Sequence, residues 1–263
     1  MASRKADIVF CLDASGSMTP CFDKLKENIA SLIESLNTID PQLSNWDLRF
    51  DYVAHRAIPS KGGGVVVQAS TVYEEDAWRA LYEEKHNFGF NQGGSGRSDK
   101  LFTTSIVDFK ASLNALEANW DECTFIGLDF ALDMPWRADP GCHRVVVFLS
   151  DEQLETGLLV DKQVMQAGAL VEKIQELGIL IFIVAPESDG YEIIAEADKS
   201  EYEMLESEHD GLIDVNFEPL MEQLAKSISK SSIQKHQKQN KPKPLFGQFT
   251  WGDGVADTSR AGQ

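Results

Sequence analysis

The run Asp7-Ile8-Val9-Phe10-Cys11-Leu12, followed at once by Asp13-Ala14-Ser15-Gly16-Ser17-Met18, decides how the rest of the chain is read. The first six residues form a nearly continuous apolar run, the pattern of a strand covered on both faces. The next six are small and polar, so the strand stops in a loop. From Cys21 onward Leu25, Ile29, Leu32, Ile33 and Leu36 recur at helical spacing, and Pro41 ends the run. Leu48, Phe50 and Tyr52 then alternate with polar residues up to Val53, which reads as a half-covered strand.

The same alternation returns later in the chain. Residues 107–116 and 124–132 read as helices, with Thr124 near the start of the second. Residues 145–149 form a second buried strand, ended by Ser150-Asp151-Glu152, and a helix over 162–177 stops at Gly178. Residues 179–184 give a third buried strand. After an acidic segment, 187–218, with twelve Asp/Glu and one Lys, an amphipathic helix closes the series at 218–229. Strands alternating with helices predict an α/β fold: a doubly wound, mostly parallel sheet flanked by helices, with a C-terminal extension. The domain is expected over residues 1–230, with an insertion at about 57–100. That insertion holds Gly62-Gly63-Gly64, a strand candidate at Val65-Val66-Val67, a helix candidate over 76–85 and Gly93-Gly94-Ser95-Gly96. Glycine loops and long irregular segments of this kind often carry function, and a plain hairpin extension is the competing reading.

The chain has 263 residues with 43% apolar and 25% charged, a globular composition. Its net charge of −18 argues against a general nucleic-acid binder, since phosphates would be repelled. The charge is uneven. Residues 226–263 hold seven Lys/Arg against two Asp/Glu, which leaves residues 1–225 at −23. The four cysteines, Cys11, Cys21, Cys123 and Cys142, show no CxxC pair and read as free thiols. Cys142 beside His143 is a pair of soft ligands without two more. The apolar stretch near the N-terminus is too short for a signal-peptide core, and the longest apolar run, 179–186, is far below a membrane span. A cytoplasmic protein is the expectation.

Asp13, Ser15, Ser17, Thr124 and Asp151 each lie just past a predicted strand or at a helix start, where the carboxyl ends of the strands converge. Two carboxylates and three hydroxyls are hard oxygen ligands, suited to Mg²⁺ or Mn²⁺ rather than zinc. The spacing Asp13-x-Ser15-x-Ser17 lets one short segment point three oxygens at one place. Ser17 could instead cap the following helix. A nucleophile would need an activating base and a charge stabiliser. Ser15 stands where an aspartyl phosphatase has its second acid, and His55 reads as a strand-end histidine. No P-loop lysine motif occurs.

These residues resemble the von Willebrand factor A (integrin I-like) family. Asp13-Ala14-Ser15-Gly16-Ser17 stands where that family has its metal-ion-dependent adhesion motif, D-x-S-x-S. Glu122-Cys123-Thr124-Phe125-Ile126-Gly127 stands at its threonine loop, and Leu149-Ser150-Asp151-Glu152 at its T-D-G turn. The resemblance covers roughly residues 5–230. It implies Ser15, Ser17 and Thr124 as direct ligands, with Asp13 and Asp151 acting through water, and a partner Asp or Glu completing the coordination sphere. Cys123 and Glu152 depart from the family's glycines, which bears on loop movement and on the charge beside the ion. The implied function is a non-catalytic, metal-dependent binding module or scaffold. Its narrower analogy is to cytoplasmic bacterial members, in stress-response operons that also encode kinase and phosphatase partners. The alternative is a Mg²⁺-dependent hydrolase of phosphate esters.

The tail differs in kind. Residues 231–244 are rich in Lys, Gln, Ser and Pro and read as a solvated linker. Leu245, Phe246, Phe249 and Trp251 follow it. Phe246, Phe249 and Trp251 are the expected anchors of a docking segment, for a groove on this body or on a partner; a frayed terminus is the competing reading.

Overall fold

Seven strands line up in one sheet in the order β4-β3-β2-β1-β5-β6-β7. They are β1 (Arg4–Asp13), β2 (Trp46–Ile58), β3 (Gly64–Ala69), β4 (Phe90–Asn91), β5 (Cys142–Leu149), β6 (Ile179–Pro186) and β7 (Ser200–Leu205). The helices are α1 (Thr19–Ile39), α2 (Ile106–Leu113), α3 (Thr124–Leu132), α4 (Ala167–Leu177), α5 (Asp189–Ala195) and α6 (Phe217–Lys230), with a 3-10 turn at Gly16–Met18. This is a computed structural model, and it describes residues 4–39, 46–58, 64–69, 90–91, 102–114, 116, 118, 124–154, 167–206 and 212–230. Residues Met1–Ile233 form one compact unit; the second, Gln234–Gln263, lies outside the described residues, as do Phe246, Phe249 and Trp251.

β2, β1, β5, β6 and β7 pair in parallel, and the antiparallel β3 and short β4 extend the β2 edge. The doubly wound sheet read from the sequence is thus the observed architecture. Residues of β1 alternate between two cores. Val9 and Cys11 pack with α3, α4 and α5, whereas Ile8, Phe10 and Leu12 pack with α1, α2 and α6. A strand lined on both faces has no room for polar alternation, which explains the apolar run in its sequence. The chain leaves β1 toward β2 on one side and continues through β5 on the other. Such a reversal opens a crevice at the carboxyl ends of the two central strands.

Several expectations need correcting. β2 is not half covered: from Phe50 to Arg56 every residue is buried, including Asp51, His55 and Arg56. Asp51 is accommodated because its carboxylate accepts from Tyr52 N at 2.8 Å and Phe102 N at 2.9 Å. The acidic segment contains two elements that its charge concealed, α5 and β7. Ser188 caps α5 by accepting from Tyr191 N at 3.3 Å, and Asp189 and Glu192 occupy its first turn, where the helix dipole favours carboxylates. The expected α4 start at 162 lies outside the described residues; from Ala167 the helix runs to Gly178, whose φ of 65° ends it. In the insertion, the Val65–Val67 strand exists as part of β3. The candidate helix over 76–85 and Gly93–Gly96 lie outside the described residues.

Candidate metal-binding site

The β1–α1 loop is held at both ends before any ion is considered. Ala14 N donates to His55 O at 2.8 Å, so the loop leaves the sheet against β2. Asp13 is fully buried; Oδ1 accepts from Ser15 N at 2.8 Å and Oδ2 from Ser150 Oγ at 2.9 Å. These bonds satisfy part of the carboxylate and fix its plane. Ser15 stands at the N-cap position of the 3-10 turn, yet its side chain makes no capping hydrogen bond. Its Oγ faces Ser17 Oγ at 3.2 Å instead. The Ser15 hydroxyl therefore pairs with that of Ser17 and caps no helix N–H.

The other arms come from α3 and from the turn after β5. Thr124 is the first residue of α3 and is fully buried, and its Oγ1 has no hydrogen-bond partner. Asp151 and Glu152 follow β5 and are also buried. Glu152 N donates to Ser150 Oγ at 3.1 Å, which closes this turn on itself. Tyr191 of α5 donates from its hydroxyl to Glu152 O at 3.0 Å. Burial, above all, raises the phenol well above its usual pKa; Ser150 and Thr124 beside it act the other way, and Asp13 adds to the rise. The same mix acts on nearby thiols. Burial, then the charges of Asp151 and Asp13, hold Cys21 neutral, and burial with Asp13 does the same for Cys11.

No family model matches the sequence, and no curated protein matches it. Solved structures do match. Proximal thread matrix protein 1 from the mussel byssus aligns over 85% of this chain and 46% of its own, at 16% identity and a TM-score of 0.50. A von Willebrand factor type A protein from Catenulispora acidiphila aligns over 86% of this chain and 43% of its own, at 16% identity and 0.49. The fold is that of a von Willebrand factor A domain. A further structure of the mussel protein, with a zinc-occupied MIDAS motif, covers 85% of this chain at 14% identity and 0.49. The chain spans less than half the length of each of these structures.

Within this von Willebrand A fold, Asp13, Ser15, Ser17, Thr124 and Asp151 all reach the carboxyl end of the sheet. Among the described residues no three His, Cys, Asp or Glu side chains group as a metal cage. Two ligands at neighbouring octahedral positions around Mg²⁺, each at about 2.0–2.1 Å, stand about 2.9 Å apart. The serine oxygens at 3.2 Å are already close to that spacing. Thr124 Oγ1 is a third hydroxyl oxygen, with no hydrogen-bond partner among the described residues.

Other candidates do not join this site. His55 is fully buried, stacks on Phe148 with centroids 6.1 Å apart, and is driven by burial to a pKa of about 3, so it is a poor general base. Cys142 and His143 begin β5, at the other end of the sheet. Burial pushes the Cys142 thiol up to about 11 and the His143 imidazole down to about 4. Cys123 lies outside the described residues. Sequence reading missed Ser150 and Tyr191 as supports. Ser150 was legible as the residue beside Asp151; Tyr191 sat in the acidic segment, where nothing marked it.

Proposed function

We propose that this chain is a non-catalytic protein-binding module that holds Mg²⁺ or Mn²⁺. Ser15, Ser17 and Thr124 bind the ion directly, and Asp13 and Asp151 bind it through water. A bound divalent cation supplies a positive centre for an Asp or Glu of a partner protein. The protein's own contribution is to orient these oxygens and to fix the Asp13 carboxylate through Ser15 N and Ser150 Oγ. The observation that carries the reading is Thr124 Oγ1, a fully buried hydroxyl with no hydrogen-bond partner. Leaving such a group unsatisfied costs about 1–3 kcal/mol, and a bound cation would remove that cost. Domains of this fold are often adhesion or binding modules, which fits the same role.

The test is thermal. An ion that binds only the folded state at a hundred times its Kd stabilises it by about 2.7 kcal/mol. For a domain of this size that corresponds to a rise in Tm of roughly 5–10 °C. Wild type should show it on adding Mg²⁺ or Mn²⁺, and Asp13→Ala should not. An equal rise in the variant would remove the assigned site. Metal-dependent turnover of a generic phosphate ester would make the protein a hydrolase instead.

A further inference from the structure

We propose that the outer edge of β7 is a second interaction surface, which takes an extended, Lys- or Arg-bearing segment of a partner protein as an added strand. It is independent of the metal-binding reading. β7 ends the sheet: one side pairs with β6 over Ser200–Leu205, and among the described residues nothing pairs with the other. Backbone N–H and C=O groups on an open strand edge are what a further strand uses. A groove of about 500 Å³ lies along this edge. One wall is Glu203, Met204, Leu205 and Glu206. Neighbours in a strand point to opposite faces, so a groove that touches four in a row follows the strand's edge. The other wall is Asn216, Pro219, Leu220 and Gln223 at the start of α6, spaced as one helix face.

Both walls are set before a partner arrives. The Tyr202 hydroxyl donates to Pro186 O and ties β7 to β6. Lys24 of α1 donates to the carbonyls of Leu212 at 3.2 Å, Val215 at 3.0 Å and Ile213, which fixes the turn leading into α6. A preformed wall loses little freedom on binding. Its chemistry selects the occupant. Glu203, Glu206 and Asp214 line the groove and are exposed, and none of the three forms an ion pair with a described residue. Apolar contact comes from Met204, 46% exposed, and from half-buried Leu205 and Val215. An extended segment that alternates cationic and apolar side chains meets both features. A second copy of this edge does not, because residues 1–225 carry −23 and like charges placed opposite each other destabilise a strand pair.

The probe is a short synthetic peptide of alternating Lys and Val, added to the full chain, with a Glu–Val peptide as control. The Lys–Val peptide should bind, more weakly as salt rises, and slow hydrogen exchange at the β7 amides that β6 does not bond. The Glu–Val peptide should do neither. Glu203→Lys with Glu206→Lys should weaken binding about tenfold. Glu27→Lys with Glu34→Lys makes the same charge change at exposed positions of α1 and should leave binding unchanged. Equal losses in the two double variants would reduce the effect to general attraction toward an acidic surface and overturn the proposal. Slow exchange of those β7 amides in the free protein, with no response to peptide, would also overturn it, since the chain itself or a second copy would then cover the edge. Binding should persist in EDTA and in Asp13→Ala; a requirement for the ion would assign the peptide to the metal site instead.

Discussion

Replacing Gly127 by Ala is expected to destabilise the domain by about 3 kcal/mol, the upper end of the usual cost of overpacking. In a helix interior the same change normally stabilises, because glycine is about 1 kcal/mol worse than alanine there. The sign reverses here because a Cβ on Gly127 would stand 1.9 Å from His55 Cδ2, 2.2 Å from Cγ and 2.7 Å from Cβ. His55 cannot yield: it is fully buried, stacked on Phe148 and held within β2. Nor can α3 back away easily. Lys173 of α4 holds it by ion pairs to Asp129 at 2.5 Å and Asp133 at 2.7 Å, and by a bond to Asp129 O at 3.1 Å. Thr124 lies less than one turn from the clash, so the Mg²⁺-dependent rise in Tm should shrink as well. The check is chemical denaturation of Gly127→Ala, His55→Ala and the double variant. The double variant should lose clearly less than the sum of the singles, since the cavity left by His55 receives the new methyl. A Gly127→Ala protein as stable as wild type would show that the close approach is not real.

Much of this arrangement was legible in the sequence because burial on both faces leaves a plain mark. β1, β5 and β6 are apolar runs ended by polar residues, and Asp13 and Asp151 follow from where those runs stop. The spacing of Asp13, Ser15 and Ser17 was readable because they share one loop. Thr124 was legible as a hydroxyl at the start of a predicted helix, and the resemblance then assigned it the place of a direct ligand. β2 was misread because Arg49 and Asp51 alternate with apolar residues as if facing water. Asp51 is paid for by two backbone N–H groups, one of them from Phe102, fifty-one residues away. No local pattern announces that. In α5 and β7 the acidic side chains hid short elements, since charge density reads as a solvated loop. Tyr191 was lost with them, although its hydroxyl donates to Glu152 O, next to Asp151.

At the other end of β1, Arg137→Ala is expected to cost about 1.5–3 kcal/mol, because it removes one of the two guanidinium groups that hydrogen-bond a buried charge. The charge is Asp7, which is fully buried. Arg49 bonds it through Nε at 2.8 Å and Nη2 at 2.5 Å; Arg137 bonds it through its backbone N at 2.8 Å and Nε at 2.7 Å. Arg137 also reaches Asp47 at 2.6 Å. Burial alone would raise the Asp7 pKa, but the hydrogen bonds from Arg49 and Arg137 outweigh it and the net shift is downward. A carboxyl whose folded pKa lies below its unfolded value adds stability that is complete above the unfolded value. That stability is lost as pH falls through the folded value. Wild type should therefore hold its fold until the pH drops below the ordinary carboxyl range near 3.8. Without Arg137 the burial effect is less opposed, so the acid-unfolding midpoint should move to higher pH. Circular dichroism during acid titration of wild type, Arg137→Ala and Arg137→Met measures this; an unmoved midpoint in both variants would refute it. Asp7 precedes Asp13 by six strand residues, about 20 Å, beyond the range at which substitutions usually couple. The Mg²⁺-induced rise in Tm should accordingly survive in Arg137→Ala, although the variant melts lower. If the rise disappears there too, the ion is being held by the global stability of β1 rather than by the oxygens at its end.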